Sequence, residues 1–220
     1  MGAVYLIRHG QASFGAADYD VLSDLGHAQA RAVGAELARR DVAVSLARSG
    51  TLSRQRVTAE VALAQCGSGP AVETDARWNE YDHVDIVARH GGGSGQDTAD
   101  PRAYQKVLET SLRSWVEAGA ESPCAETWPM FLDRVRAAFD DVVSSLPKGS
   151  RAVVFTSGGV IATLCGALLG DPATGFLSLN RVTVNAGLTK IVTGRSGTTL
   201  LSFNEHGHFD GDAAELLTYR

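Results

Sequence analysis

Apolar residues along the chain follow two patterns that alternate from the first residues to the last. Short continuous runs rich in β-forming residues predict buried strands. Runs in which apolar residues recur every three or four positions predict helices with one buried face. The predicted strands cover 3–7, 42–47, 152–156, 188–193 and 199–203. The predicted helices cover 24–40, 53–65, 128–146 and 160–169, with another after Pro101.

Alternation of strands and helices is typical of a mostly parallel sheet covered by helices on both faces. We therefore expect an α/β fold, a three-layer α/β/α sandwich with a mostly parallel central sheet. The stretch from about 77 to 122 has few apolar residues of its own and contains the glycine-rich run 91–95. We interpret it as a small insertion over the mouth of a site. The length of 220 residues fits a single domain, 1–220, with that insertion.

Composition and charge narrow the function classes. A hydrophobic fraction of 44% with 20% charged residues predicts a folded globular protein. A net charge of −5 argues against nucleic-acid and membrane partners. The longest apolar stretch, 160–169, is too short to span a bilayer, and no signal peptide is evident. The three cysteines form no CxxC pair and predict reduced thiols. We expect a cytoplasmic protein with a small-molecule partner.

Polar groups follow the predicted strands at the end where α/β sheets bind ligands. Four such tips are 8–11, 49–54, Glu80 and 157–159. Together they supply two arginines, a histidine, a carboxylate and the start of a helix. We expect these four tips to converge on one site.

This set of groups suits phosphoryl chemistry. The planar guanidinium groups of Arg8 and Arg54 bind phosphate oxygens in a bidentate way. The helix that begins near Ser157 and Gly158 offers backbone N–H donors and a favourable dipole. His9 attacks phosphorus when its imidazole is neutral, and two flanking arginines lower its pKa and favour that form.

A carboxylate completes the set, because a general acid must protonate the leaving oxygen and later activate water. Glu80 is the candidate, with Asp82 as the alternative acid. We expect no metal and no cofactor. His206 and His208 have a spacing of two that suggests a metal, but no carboxylate or cysteine cluster accompanies them.

The segments around these tips resemble the histidine phosphatase superfamily, the phosphoglycerate-mutase-like proteins. The similar segments follow the family's order through nearly the whole chain, at 6–11, 22–30, 49–60, 78–80, 126–135, 153–160 and 202–209. The resemblance implies a phosphoglycerate-mutase-like fold with His9 as the phosphohistidine nucleophile and Glu80 as the proton donor. The implied phosphate ligands are Arg8, Arg54, Gln11, Ser157 and Gly158.

Two positions depart from the family pattern. Ser157 stands where the family usually carries a second histidine before the Gly-Gly pair, which suggests a subgroup with serine at this position. Gly15 stands where many members have an asparagine that contacts the phosphate. Both departures favour a hydrolase over a glycolytic mutase.

We therefore expect a metal-independent phosphatase, a phosphomonoesterase that acts on a small phosphorylated substrate through a phosphohistidine. Two alternatives stay open: a mutase-type phosphoryl transfer, and a degenerate, weakly active member that binds a phosphorylated ligand or a protein. A serine hydrolase is disfavoured, because Phe155 occupies the first glycine of the G-x-S-x-G motif that such enzymes need around a serine like Ser157. The resemblance also suggests a homodimer.

Overall fold

Six strands form one mixed sheet in the computed structural model, which describes residues 1–13, 20–67, 69–92 and 101–219. The strands are β1 (Gly2–Arg8), β2 (Val44–Ser49), β3 (Val72–Thr74), β4 (Arg151–Thr156), β5 (Leu188–Gly194) and β6 (Gly197–Glu205). They lie in the order β3-β2-β4-β1-β5-β6. The pairings among β1 to β4 are parallel, whereas β5 and β6 are antiparallel additions. The predicted α/β class is confirmed.

Helices cover both faces of this sheet. Their bounds are α1 (Asp24–Arg39), α2 (Ser53–Cys66), α3 (His83–His90), α4 (Pro101–Ala118), α5 (Trp128–Ser145), α6 (Gly158–Leu168) and α7 (Pro172–Leu179). The long periodic segments all form helices close to their predicted bounds. Two eight-residue helices, α3 and α7, were not predicted, because two turns are too few for a clear apolar period. Every helix in the described ranges is too short or too polar to cross a membrane.

The central strands are apolar throughout because both of their faces are covered. In β1, Val4 and Leu6 point into the core formed with α4, α5, α6 and α7. Tyr5 and Ile7 point to the opposite side, against α1 and α2. This alternation explains why a continuous apolar run, rather than an alternating one, marks a strand buried between two helical layers.

The stretch 77–122 contributes side chains to the core beside the sheet. Trp115 in α4 packs against Trp128 and Phe131 of α5, with ring centroids 5.6 and 5.7 Å apart. Tyr81 contacts Phe176 of α7 at 5.6 Å. The stretch is therefore held against α5 and α7 by aromatic packing near both of its ends. Residues 93–100 of this stretch, and Gly15, lie outside the described residues.

Candidate active site

Backbone hydrogen bonds bring the ends of β1, β2 and β4 together. The N–H of His9, the first residue after β1, donates to Thr156 O at 2.8 Å. The N–H of Gly50, the first residue after β2, donates to Phe155 O at 3.2 Å. The loops that follow these three strands therefore start side by side. Because Arg54 lies in the first turn of α2 and Ser157 directly precedes α6, both of these residues lie at this edge of the sheet.

His9 is held in one neutral tautomer by its two neighbours. The imidazole is buried, with 6% of the residue exposed. Its Nδ1 lies 2.7 Å from Gly10 O, which only accepts hydrogen bonds, so Nδ1 carries the hydrogen. Its Nε2 lies 3.2 Å from Arg54 Nε, which only donates, so Nε2 presents a lone pair.

The surroundings of His9 disfavour the protonated imidazolium. Burial lowers its pKa well below the ordinary value of 6.5, and the positive charges of Arg54 and Arg8 lower it further. The hydrogen bond to Gly10 O acts weakly in the opposite direction. The imidazole is therefore neutral throughout the physiological pH range, as a nucleophilic nitrogen must be.

The two arginines are fixed by different parts of the chain. Arg54 donates from Nη1 to Asp20 Oδ1 at 2.7 Å. Arg8 donates from Nη1 to the carbonyl oxygen of Thr183 and to Tyr219 O, the latter at 2.5 Å. The last residues of the described chain thus contact the phosphate-binding candidate Arg8.

Asp20 also belongs to the candidate site, through its contact with Arg54. Besides its contact with Arg54, its Oδ2 accepts a hydrogen bond from the Ser53 N–H at 2.7 Å, at the start of α2. The carboxylate therefore satisfies a free donor of the helix N-terminus and orients the neighbouring guanidinium. No local sequence pattern predicts this contact, because Asp20 reaches α2 from a loop more than thirty positions earlier.

Glu80 follows the short turn Ala76–Trp78, and its carboxylate contacts the start of α6. Its Oε2 accepts from the Gly159 N–H at 3.0 Å and its Oε1 from the Tyr81 N–H at 3.3 Å. Removal from water raises the pKa of Glu80 above its ordinary value of 4.5, against the lowering effects of Gly159, Arg54 and Arg8. The same two guanidinium groups thus act on Glu80 and on His9, and the carboxyl holds its proton to a higher pH than usual.

Gly159 makes this position of Glu80 feasible. A Cβ at Gly159 would collide with Glu80 Oε1 and with the Tyr81 ring. The second glycine of the Gly-Gly pair is therefore a steric requirement of the contact between α6 and the carboxylate.

The segment that carries Glu80 is held by Arg134 of α5. The Arg134 Nη1 donates to Arg77 O and Asn79 O, each at 2.8 Å. Glu126 holds the guanidinium in turn, at 2.5 and 2.9 Å. The ion pair of Arg134 with Glu126 therefore holds the backbone of the Glu80 segment against α5.

Ser157 is fully buried and does not cap α6 with its side chain. Its Oγ lies 2.8 Å from Gln55 Nε2 instead. Gly158 follows as the first residue of α6, and a Cβ there would lie 3.6 Å from Arg8 Nε. Gly158 therefore adjoins Arg8, and Ser157 contacts the residue that follows Arg54 in α2.

Gln11 is placed differently from the other predicted phosphate ligands. Its side-chain Oε1 accepts from Ser23 Oγ at 3.1 Å, beside the start of α1. Its backbone N–H donates to Gln29 Oε1 at 2.7 Å, and Gln29 Nε2 donates to Thr218 Oγ1 at 2.7 Å. These contacts tie the loop that follows His9 to α1 and to the end of the described chain.

Comparison with known proteins identifies the family of this chain. Residues 4–206 match the model of the histidine phosphatase superfamily (branch 1), a range that includes every residue predicted for the site. The chain belongs to the histidine phosphatase superfamily. The resemblance inferred from the sequence segments is thereby confirmed, although the match does not define a subgroup with serine at position 157.

Other members of the superfamily include mutases and phosphatases. A probable phosphoglycerate mutase, GpmB, of Photorhabdus laumondii is 28% identical over 176 residues, which cover 77% of this chain and 76% of the relative. A mycobacterial glucosyl-3-phosphoglycerate phosphatase, solved in complex with VO3, is 25% identical and superimposes with a TM-score of 0.67, over 93% of this chain and 99% of that one. YhfR of Bacillus stearothermophilus has the same fold, with a TM-score of 0.70 at 19% identity, over 96% and 100%.

The alternative acid Asp82 and the histidines His206 and His208 make side-chain contacts with backbone groups outside the cluster formed by His9, Arg54 and Glu80. Asp82 is exposed and caps α3, accepting from the Val84 and Asp85 N–H groups at 3.0 and 3.1 Å. His206 contacts Asn204 O at 2.6 Å, and His208 contacts a different backbone carbonyl. Within the described ranges, no group of three His, Cys, Asp or Glu side chains is arranged to hold a metal ion.

His83 is the exception among the remaining histidines. Burial lowers its pKa, and the charge of Arg54 lowers it further, against the raising effect of Asp82. Its ring packs edge-on against Tyr104 of α4, with centroids 6.5 Å apart. His83, at the start of α3, is therefore close enough to Arg54 for that charge to act on its pKa.

Proposed function

We propose that this superfamily member is a phosphomonoesterase that hydrolyses a small phosphorylated substrate through a phosphohistidine at His9, without a metal ion. The observation that carries this proposal is the fixed neutral tautomer of His9, with the Nε2 lone pair beside Arg54 and the hydrogen on Nδ1. That state is the one in which an imidazole attacks phosphorus.

In the first step, the Nε2 lone pair of His9 forms the N–P bond as the bond from phosphorus to the ester oxygen breaks. The departing oxygen takes a proton from Glu80, whose raised pKa favours the acid form that this step requires. Arg8 and Arg54 offset the negative charge on the phosphoryl oxygens during the transfer. The N–H of Gly158 and the hydroxyl of Ser157 are the neutral donors proposed for the same oxygens.

In the second step, a water molecule attacks the phosphohistidine. The Glu80 carboxylate, left ionised by the first step, takes a proton from that water, and the N–P bond breaks with its electron pair returning to Nε2. Inorganic phosphate leaves, and both residues return to their starting protonation states. No external reductant, oxidant or metal is needed for the balance.

A mutase shares the first step and differs in the second, because a substrate hydroxyl instead of water receives the phosphoryl group. The curated relatives that are phosphoglycerate mutases make this the alternative activity. Serine in place of a charged histidine at position 157 favours the hydrolase, because the site that holds the phosphoryl group then carries less positive charge. A member that binds phosphate esters without turnover is the third alternative.

The experiment that tests the proposal compares two substrates in the presence of EDTA. We expect the wild type to hydrolyse both p-nitrophenyl phosphate and a simple alkyl phosphate. As the pH is raised, the alkyl-phosphate activity should first rise as His9 loses its proton and then fall as Glu80 loses its proton. The Glu80→Gln variant should lose the alkyl substrate selectively, by about 10²- to 10⁴-fold, because an alkoxide needs its proton more than nitrophenolate does. The fall at higher pH should disappear with it.

The matched control is Asp82→Asn, which changes an exposed carboxylate two residues away. We expect its rates on both substrates to stay near those of the wild type. A selective loss in Asp82→Asn with none in Glu80→Gln would assign the acid to Asp82. Absence of turnover in the wild type, together with tight binding of a phosphate ester, would favour the binding alternative.

A further inference from the structure

Gln55 joins three parts of the site from inside the protein. It is fully buried in the first turn of α2, directly after Arg54. Its Nε2 donates to Trp78 O at 3.1 Å, in the segment that carries Glu80, and to Ser157 Oγ at 2.8 Å. One side chain thus links the helix of Arg54, the Glu80 segment and the serine that replaces the family's histidine.

The partners of Gln55 fix the direction of the hydrogen bond to Ser157. Trp78 O is a carbonyl and only accepts, so the nitrogen end of the amide must face it. The second N–H of the same nitrogen then points to Ser157 Oγ, which accepts. A hydroxyl has a single hydrogen, and an accepted bond leaves that hydrogen for another partner.

The Ser157 hydroxyl does not cap the N-terminus of α6, although Ser157 is the N-cap residue. A serine at this position ordinarily accepts a hydrogen bond from the second or third N–H of the helix. Here the Gly159 N–H is taken by Glu80 Oε2, and Ser157 makes no capping bond. Within the described part of the chain, the Ser157 hydroxyl hydrogen has no protein acceptor.

We propose that Gln55 is a positioning residue that keeps Ser157 as a hydrogen-bond donor toward the phosphoryl group held between His9 and the two arginines. The proposal rests on the proposed phosphatase function and extends it to a residue that does not touch the substrate. The serine supplies a neutral donor where a histidine is usual, and Gln55 prevents the hydroxyl from turning its hydrogen inward. Gln55 and Ser157 therefore act as a pair.

A purely structural role for Gln55 makes a different prediction. The bond to Trp78 O alone would stabilise the Glu80 segment, and Thr156 Oγ1 donates to the same carbonyl at 2.6 Å. Thr156→Val removes that second bond without changing the contact between Gln55 and Ser157. It is therefore the matched control for the structural role.

The test uses the full chain and the variants Gln55→Met, Ser157→Ala, their double variant and Thr156→Val. Methionine keeps the length of glutamine but has no N–H. For each protein, kcat and KM for p-nitrophenyl phosphate are measured, with the inhibition constants of orthovanadate and of inorganic phosphate. Vanadate adopts a five-coordinate geometry like that of the transferring phosphoryl group, so the ratio of the two constants reports on donors that act in transfer.

We expect Gln55→Met and Ser157→Ala each to lower kcat on the order of 10- to 10²-fold, with little change in KM and a weaker preference for vanadate over phosphate. The double variant should be no slower than Ser157→Ala alone, because both changes remove the same donor. Thr156→Val should lose thermal stability but keep the wild-type vanadate preference.

Additive losses in the double variant, or a Thr156→Val variant that loses the vanadate preference as Gln55→Met does, would overturn the pairing. A wild-type kcat in Ser157→Ala would overturn it even if Gln55→Met fails to fold. These outcomes leave the proposed phosphatase intact, since the wild type still turns over. A wild type that hydrolyses no phosphate ester would instead overturn the proposed function, and the pairing with it.

Discussion

Replacing His9 by alanine should lower phosphate-ester hydrolysis by roughly 10⁴-fold or more. The change removes the Nε2 lone pair, so no covalent intermediate forms and water must attack the substrate directly. The lost imidazole is uncharged, because its surroundings disfavour the protonated form. No ion pair is lost with it, so we expect the fold and the thermal unfolding temperature to change little. The measurement is kcat/KM for p-nitrophenyl phosphate with EDTA present, beside circular dichroism of both proteins.

His27→Ala is the control for this change. His27 lies in α1, and its side chain makes no hydrogen bond within the described ranges. We expect its activity to stay close to that of the wild type. A His9→Ala protein that hydrolyses the ester at the wild-type rate would exclude His9 as the nucleophile.

Replacing Arg54 by methionine should lower kcat/KM on the order of 10³-fold, through two effects. The first is loss of a charged guanidinium group from the phosphate-binding site, which also removes the 2.7 Å ion pair between Arg54 and Asp20. The second acts on His9, because the charge of Arg54 helps to lower the His9 pKa. Without it, the pKa rises toward 6.5, and the low-pH limb of the activity profile moves to higher pH.

The control for Arg54→Met is Arg56→Met, which removes the same group from an exposed position two residues along α2. We expect a pH profile and rate near those of the wild type. If Arg54→Met lost activity without any shift of the low-pH limb, its charge would not act on His9. If both variants lost activity equally, the effect would belong to the net charge of the helix and not to the phosphate-binding site.

Much of the fold follows from the apolar pattern, because strands buried on two faces and helices buried on one leave different periods. The run at 3–7 predicts a strand, and its side chains indeed divide between two cores, Val4 and Leu6 on one side and Tyr5 and Ile7 on the other. The apolar pattern does not predict the short helix α3. Its clearest local signal was the capping carboxylate of Asp82, which the sequence alone also allows as an acid.

The sequence predicts a site where the strand ends meet, but it predicts only some of the residues that lie there. His9, Arg54 and Ser157 each follow a parallel strand, so the topology alone brings them to one edge. Asp20 and Gln55 could not be predicted in this way. Asp20 reaches Arg54 from a distant loop, and Gln55 stands between two arginines in the sequence, which is the pattern of an exposed helix face. Their burial and partners are decided by tertiary packing.

The most direct test of the proposed chemistry is to trap the enzyme during turnover. Wild-type protein is mixed with p-nitrophenyl phosphate, quenched in alkali within the first turnovers, digested and analysed by mass spectrometry. We expect a phosphoryl group on the peptide that contains His9, stable in alkali and lost in acid, and absent from His9→Ala. A phosphoryl group on a serine or another residue, or turnover with no phosphorylated protein at any quench time, would contradict catalysis through His9.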